Sequence, residues 1–442
     1  MKTVYLAILL GSCLLFFATA LSAQIQNSYA FTESSAPWEP IWGSYATDAM
    51  TDEGLSPALD IGFTFPYGSN NYTQVKISSN GWVNLGANLT LPYYGNDLSY
   101  LNIRPLLAPL WDDLSLQFGA VQHAVYGNTP HRIFFVQWLA AKWNYNGMNE
   151  YSFMVRMHET GQIDFIYGPH IGTPNNPSAS IGINMIPGGA NYYFSIQPGT
   201  PSIASNTTSY NNIQTPLPED TMFVFMPRTG LSVNAAAVNL NGPQTPMQSV
   251  SATYTIKAGN AGSSPIAANA ATAYLMRGDE VLASALLPSM APGQFAEVDL
   301  NWTPDVTGLM YLTGKVVVAD DPDSLNNVTY PFTITVQEFV GNDDEIAPSA
   351  PLLLSAHPNP FRDNVSLRYD IPKADAARIE IYDLKGRKII ALTAKNQTSV
   401  DHSVSWNGLD SAGKPVPNGI YFCKLSSATG TAMVKLVKLK SN

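Results

Sequence analysis

Covalent cross-links are the first thing this chain lacks. Cysteine occurs twice in 442 residues, at 13 and 423. Cys13 falls in an amino-terminal leader, so no internal disulfide remains, and stability must come from conventional cores or bound ions. Cys423 reads as a small buried strand residue. Charge is sparse as well, 13% of residues with a formal net of −10, and it is unevenly placed. Residues 351–442 hold 13 Lys and Arg against 7 Asp and Glu, which leaves 10 against 26 in the first 350. An acidic body with so few cations cannot build a phosphate-tracking stripe, which excludes nucleic acid as the expected partner.

Long apolar runs are missing after the start of the chain. Met1-Lys2, the apolar residues 4–17 and the small residues Ala18-Thr19-Ala20 or Leu21-Ser22-Ala23 predict a signal peptide over 1–23 and Sec export to the periplasm. No later run reaches the eighteen or so apolar residues of a spanning helix, so the mature chain is expected to have no transmembrane segment.

Catalytic signatures are absent too. The six histidines, at 123, 131, 158, 170, 357 and 402, show no metal-ligand spacing, and there is no Gly-x-Ser-x-Gly phrase. Asp112-Asp113 are neighbours on a strand, so they face opposite sides and do not form a glycosidase pair. Asp112 is expected to cap the strand end or to help hold calcium. The chain therefore reads as a non-enzyme without an organic cofactor.

What is present is alternation. Leu59-Ile61-Phe63-Phe65, Phe153-Val155-Met157, Ile163-Phe165-Tyr167 and Met222-Val224-Met226 put apolar side chains on one face at period two. Glu159-Thr160-Gly161 marks a hairpin. Residues 133–139 are apolar on both faces, as in a strand at the middle of a sandwich. No window carries a helical stripe, and residues 24–228 predict roughly ten strands in two packed sheets. Residues 229–337 shift to Ala, Val, Thr and Asn, with about five spaced strands at 250–256, 271–275, 295–302, 314–319 and 330–336. Residues 338–350 read as a charged linker. The fold class expected is all-β, three Ig-like or jelly-roll-like β-sandwiches in series.

The last module is the most heavily punctuated. His357-Pro358-Asn359-Pro360-Phe361, Asp383-Leu384-Lys385-Gly386-Arg387, Trp406-Asn407-Gly408 and Asn418-Gly419-Ile420-Tyr421 are turn and strand signals, followed by a basic strand with Lys435, Lys438 and Lys440. In this order they resemble the C-terminal sorting domain of type IX secretion cargo, a relative of the Ig-like domain of flagellar hook-capping proteins. The resemblance covers 351–442 and implies an export address read by the type IX machinery, with surface attachment. Its sorting residues are Pro358, Asn359, Pro360, Phe361, Gly386, Arg387, Gly419, Tyr421, Lys435 and Lys438.

Ile77-Ser78-Ser79-Asn80-Gly81-Trp82-Val83, Leu107-Ala108-Pro109-Leu110-Trp111-Asp112 and Arg132-Ile133-Phe134-Phe135-Val136-Gln137-Trp138 resemble the nidogen-like domain of extracellular adhesion proteins. Lys257-Ala258-Gly259-Asn260-Ala261-Gly262, Ala291-Pro292-Gly293 and the Asp320–Asn327 loop resemble CARDB modules. In that loop Asp320, Asp321, Asp323 and Asn326 supply oxygen atoms suited to a structural Ca²⁺, without the Gly and closing Glu of an EF-hand.

Six of eight tryptophans fall in the first module. Trp82, Trp111 and Trp138 stand in strand patterns and are expected in the core. Trp38, Trp42 and Trp143 stand among Pro, Gly and Asn, and with Tyr93 and Tyr94 are expected to form an exposed surface for a glycan or an extracellular protein. The functional expectation is a secreted or outer-surface binding or adhesion protein. A secreted hydrolase with a triad gathered from distant residues of the first module, or a passive structural surface protein, are the alternatives.

Overall fold

The computed structural model describes residues 24–100, 102–116, 118–143, 149–174, 176–186, 188, 191–339, 353–370, 378–393, 402–427 and 430–439. The expected signal peptide, most of the linker, and Lys440 lie outside the described residues. The chain divides into two compact units, Met1–Phe339 and Val340–Asn442.

In the first unit the alternating runs pair into two antiparallel sheets. An eight-stranded sheet runs in the order Tyr29–Ser35, Thr221–Pro227, Ile163–Ile171, Glu150–His158, Ile133–Trp143, Ala120–Tyr126 and Ser44–Tyr45, with Leu114–Ser115 also pairing Ile133–Trp143. The seven-stranded sheet runs Ile203–Ser205, Tyr193–Gln197, Ser180–Asn184, Leu106–Trp111, Trp82–Leu85, Asn70–Ser78 and Leu59–Tyr67. Among the described residues fifteen strands thus replace the ten expected, because pieces of two to four residues leave too short a pattern to read. The inward sets Phe134, Val136 and Trp138, Phe153, Val155 and Met157, and Ile61, Phe65, Val75 and Ile77 fill the space between the sheets. Trp138 stacks on Phe153 at 5.0 Å, and its indole N–H, which must find an acceptor when buried, donates to the Ser78 carbonyl at 2.9 Å.

Ile133–Trp143 is buried on both faces for a reason the alternation foreshadows. Ile133 and Phe135 point away from the sandwich and join Met154, Ile166, Val224 and Met226 in a second cluster, completed by Ala236, Val238 and Ala261 from residues 229–337. The second module therefore packs against the outer face of the eight-stranded sheet and is not a bead on a string. It is itself a pair of sheets, Ala235–Asn241, Ala252–Asn260 and Phe295–Trp302 on one side, and Glu280–Leu286, Ala271–Arg277, Gly308–Val318 and Phe332–Val336 on the other. Two of its seven strands escape the sequence pattern. Ala235–Asn241 serves two cores at once and so does not alternate, while Glu280–Leu286 is an edge strand with Val281 and Leu286 exposed.

The second unit pairs Leu353–His357, Val365–Asp370 and His402–Trp406 in one sheet and Lys388–Thr393, Arg378–Asp383, Gly419–Ser427 and Gly430–Lys438 in the other. Cys423 is fully buried between Ile381 and Leu425, and burial pushes its thiol up to about 12. The protein is all-β. Among the described residues no helix is long and apolar enough to cross a membrane, which says nothing of strands.

Candidate functional site

The tail signals converge on the last strand. Pro358 and Pro360 have no N–H to offer a sheet, and Asn359 between them uses its side chain instead. Its Oδ1 accepts from the Val437 N–H at 2.8 Å and its Nδ2 donates to the Lys435 carbonyl at 2.6 Å. Phe361 continues the edge, donating to the Val437 carbonyl at 2.8 Å and accepting from the Leu439 N–H at 2.8 Å. Its ring is buried 5.3 Å from Trp406, which lies edge-on to Tyr421 at 5.3 Å. The Trp406 indole donates to the Leu409 carbonyl at 2.8 Å, and the Tyr421 hydroxyl to the Pro417 carbonyl at 2.7 Å.

Gly408, at φ +69°, makes room for the stem of Lys438; a methyl there would meet Lys438 Cε at 2.4 Å. Lys438 pairs in register with Gly419 and is buried, its stem packed against Gly408. Asp383 lies opposite Tyr421 and closes the Gly386-Arg387 hairpin, its Oδ1 accepting from the Lys385 and Arg387 N–H groups at 3.0 and 2.9 Å. Those bonds, with the Arg387 guanidinium, hold its carboxyl below the usual range. Residues scattered over 359–438 thus meet at one end of the sandwich and are held there by hydrogen bonds.

In the first module the aromatic candidates part company. Residues 36–43 form a strap across the outer face of the eight-stranded sheet. Trp38 N–H donates to Asp220 Oδ1 at 2.7 Å, the Ile41 backbone exchanges two bonds with the buried Gln137 side chain at 3.0 and 2.8 Å, and the Trp42 backbone exchanges two with the Tyr126 hydroxyl at 2.9 and 2.6 Å. Trp38 is half-buried and Trp42 is 40% exposed. Tyr94 is exposed, but Tyr93 is half-buried and its carbonyl accepts both the Trp82 and Trp111 indole N–H groups at 3.0 and 3.1 Å. Trp82 and Trp111 are buried on the outer side of the seven-stranded sheet with Leu98 and Ile103, while Trp138 fills the core between sheets.

Trp143 corrects the expectation of exposure. It is fully buried, and its indole donates to Asp112 Oδ2 at 2.7 Å. Ala140, at φ +51°, breaks the alternation of the strand Ile133–Trp143, so that Ala141 and Trp143 turn inward where an uninterrupted pattern would place Ala140. Asp112 also accepts from the Ser178 N–H at 2.7 Å, which makes it a structural anchor next to the strand end.

The acidic loop of the second module is likewise occupied by its own chain. Asp321 accepts from the Ala235 N–H at 2.9 Å and the Asp323 N–H at 3.0 Å. Asp323 accepts from Asn234 Nδ2 at 3.1 Å and the Leu325 N–H at 3.2 Å, and Asn326 donates to Asn234 Oδ1 at 2.8 Å. Asp320 takes φ +61° at the turn. Among the described residues no group of three or more His, Cys, Asp and Glu could hold a metal ion.

His158, in the wall of a small cleft, meets a buried carboxylate. His158 Nε2 lies 2.6 Å from Asp164 Oδ2, and Gln162 donates to Asp164 Oδ1 at 2.9 Å and to the Val238 carbonyl at 3.2 Å. The cleft, between Arg132 and Glu159 on one side and Thr329 and Tyr330 on the other, holds only about 50 Å³. That is room for a water or two, not for a polymer substrate.

Three family models match the chain. Residues 28–233 match the NIDO-related model, 230–328 the CARDB model and 362–431 the FlgD Ig-like domain model. The chain carries these three adhesion-type β domains in that order. No curated protein matches. Among solved structures it is similar to a CARDB domain from Pyrococcus furiosus in complex with di-metal ions, at 18% identity over 25% of this chain and 93% of that one, TM-score 0.21. The solution structure of a CARDB domain from the same organism matches at 17% identity over 24% of this chain and 97% of that one, TM-score 0.21. Dimeric latent PorU from Porphyromonas gingivalis matches at 12% identity over 73% of this chain and 34% of that one, TM-score 0.21.

Proposed function

We propose that the protein is exported and works outside the cell as a surface or secreted binding protein, not as an enzyme. The NIDO-related domain contacts a glycan or an extracellular protein, and the CARDB domain braces its outer sheet. The C-terminal domain is the address by which type IX secretion machinery takes the protein from the periplasm across the outer membrane and attaches it. The observation that carries this reading is the meeting of Asn359, Phe361, Trp406, Gly408 and Tyr421 around the last strand. With Phe361, Trp406 and Tyr421 buried, this packing holds the exposed Asn359, Gly386 and Arg387 in fixed positions for a partner to read. Deleting residues 351–442 is expected to leave the protein in the periplasm of a type IX-competent bacterium. Undiminished appearance outside the cell would contradict the reading.

A secreted hydrolase is the second reading, favoured by the His158 and Asp164 pair. The cleft, at about 50 Å³, is too small for a polymer substrate. Hydrolysis of a polysaccharide or protein by the wild type, abolished by His158→Ala, would put it first.

A further inference from the structure

Trp38 does more than tie down the strap. A methyl placed on Gly168 would sit 2.3, 2.6 and 2.7 Å from Trp38 Cδ2, Cε2 and Cε3. A point so nearly equidistant from three atoms around the fused bond lies above the ring, so the indole rests flat on the Ile163–Ile171 strand with one face on the backbone. Trp38 is half-buried, so part of the ring remains open to solvent. Exposed polar groups lie nearby. Asp220 holds the Trp38 N–H, Glu219 precedes it, Glu39 follows Trp38, and His170 lies two residues beyond Gly168, stacked on Tyr151 at 6.0 Å with planes 7° apart. Partial burial, and then the neighbouring Asp220, raise the Glu219 carboxyl above its ordinary value, with His170 opposing. Glu219, Asp220 and His170 are therefore within reach of one another.

A flat indole backed by a sheet and edged by carboxylates has a definite chemistry. The apolar C–H face of a pyranose stacks on such a ring, and carboxylates accept hydrogen bonds from the hydroxyl or ammonium groups on the sugar's rim. The same carboxylates repel uronate and sulfate groups. Resting on the reading of the chain as an extracellular binding protein, we infer that Trp38, with Glu219 and Asp220 at its edge, is a subsite for one pyranose of an uncharged or amine-bearing glycan.

The test uses the purified full chain, titrated calorimetrically with cellohexaose, a chitosan hexamer and an alginate hexamer. Trp38→Ala and Gly168→Ala are the variants, the second chosen because a methyl there must lift the ring while the backbone at 168 accepts alanine without strain. Thermal melts confirm that each variant folds, and Trp38→Phe, which keeps an apolar side chain on the strand, replaces Trp38→Ala if that variant does not. The inference predicts that the wild type binds the cello- or chitosan hexamer and not the alginate one. It also predicts a loss of at least tenfold in affinity in both variants and a larger effect of Glu219→Gln on the chitosan hexamer than on cellohexaose. Oligosaccharide binding unchanged in both variants would overturn this subsite while leaving the binding reading intact. Preference for alginate, or no oligosaccharide binding at all, would also overturn it. The broader reading fails separately, if the wild type neither reaches the cell exterior nor binds any extracellular glycan or protein.

Discussion

Asn359 and Val437, 78 residues apart, are joined by a hydrogen bond of 2.8 Å from the Val437 N–H to the Asn359 side-chain oxygen. That amide also holds the Lys435 carbonyl, so one side chain does for the end of the last strand what a neighbouring strand would do. Asn359→Ala removes both bonds and leaves a backbone N–H and C=O to find water. The tail is expected to lose about 1–3 kcal/mol, and amide exchange at Val437 and Leu439 should accelerate while that at Cys423 is little changed. Equal protection in the variant would show that the proline-flanked turn is ornamental.

Asp112 accepts a buried indole N–H and a backbone N–H at once. Asp112→Ala orphans both donors, and the loss should be about 2–4 kcal/mol in denaturant midpoint experiments. Trp143→Phe keeps most of the buried ring but removes one donor and should cost less.

Much of the all-β fold could be read from period-two runs, and the central strand announced itself by being apolar on both faces. Trp143 could not be read, because a single positive-φ residue at Ala140 shifts the phase of its strand, and phase is what alternation measures. The acidic residues at 320–326 looked like ligands because composition cannot tell an oxygen aimed at a cation from one already accepting the Ala235 N–H. In the tail the turn and strand signals were legible one by one, but their meeting around Lys438 depends on pairings across some eighty residues that no local pattern contains. The Trp38 platform depends on Gly168, far off in sequence and silent in any motif.

Glu159 carries an acid-dependent contribution. Hydrogen bonds from the Arg132 side chain, first of all, pull its carboxyl from 4.5 to about 2. A folded-state value below the unfolded one stabilises the fold above about pH 4.5, and that stabilisation is lost as pH falls toward 2. Thermal melts between pH 5 and pH 2 should therefore fall less steeply in Glu159→Gln than in the wild type. The effect is modest, since the Arg132 side chain is partly exposed.

The shared cluster on the outer face of the eight-stranded sheet couples the first two modules. Arg156 is buried there with its guanidinium 5.7 Å from the Phe135 ring and 5.2 Å from the Tyr330 ring. Residues 24–339 should unfold in a single calorimetric transition. Val238→Asp, which puts a carboxylate into that cluster, should separate it into two.

The acidic loop should be indifferent to calcium. Chelation by EDTA and addition of Ca²⁺ are expected to leave the melting temperature unchanged, whereas Asp321→Ala, which orphans the Ala235 N–H, should lower stability by about 1–2 kcal/mol. A rise in melting temperature with Ca²⁺ that Asp321→Ala abolishes would assign the loop to a metal after all.

The central claim, that the C-terminal domain is an export address built around its last strand, is tested most directly by transplanting it. Residues 351–442 would be fused to a periplasmic reporter in a type IX-competent bacterium, and the reporter counted inside and outside the cell. The account predicts that the fusion appears at the surface or in the medium and that Asn359→Ala or Gly408→Val keeps it in the periplasm. A fusion that stays in the periplasm, or one exported equally well with the last strand deleted, would contradict it.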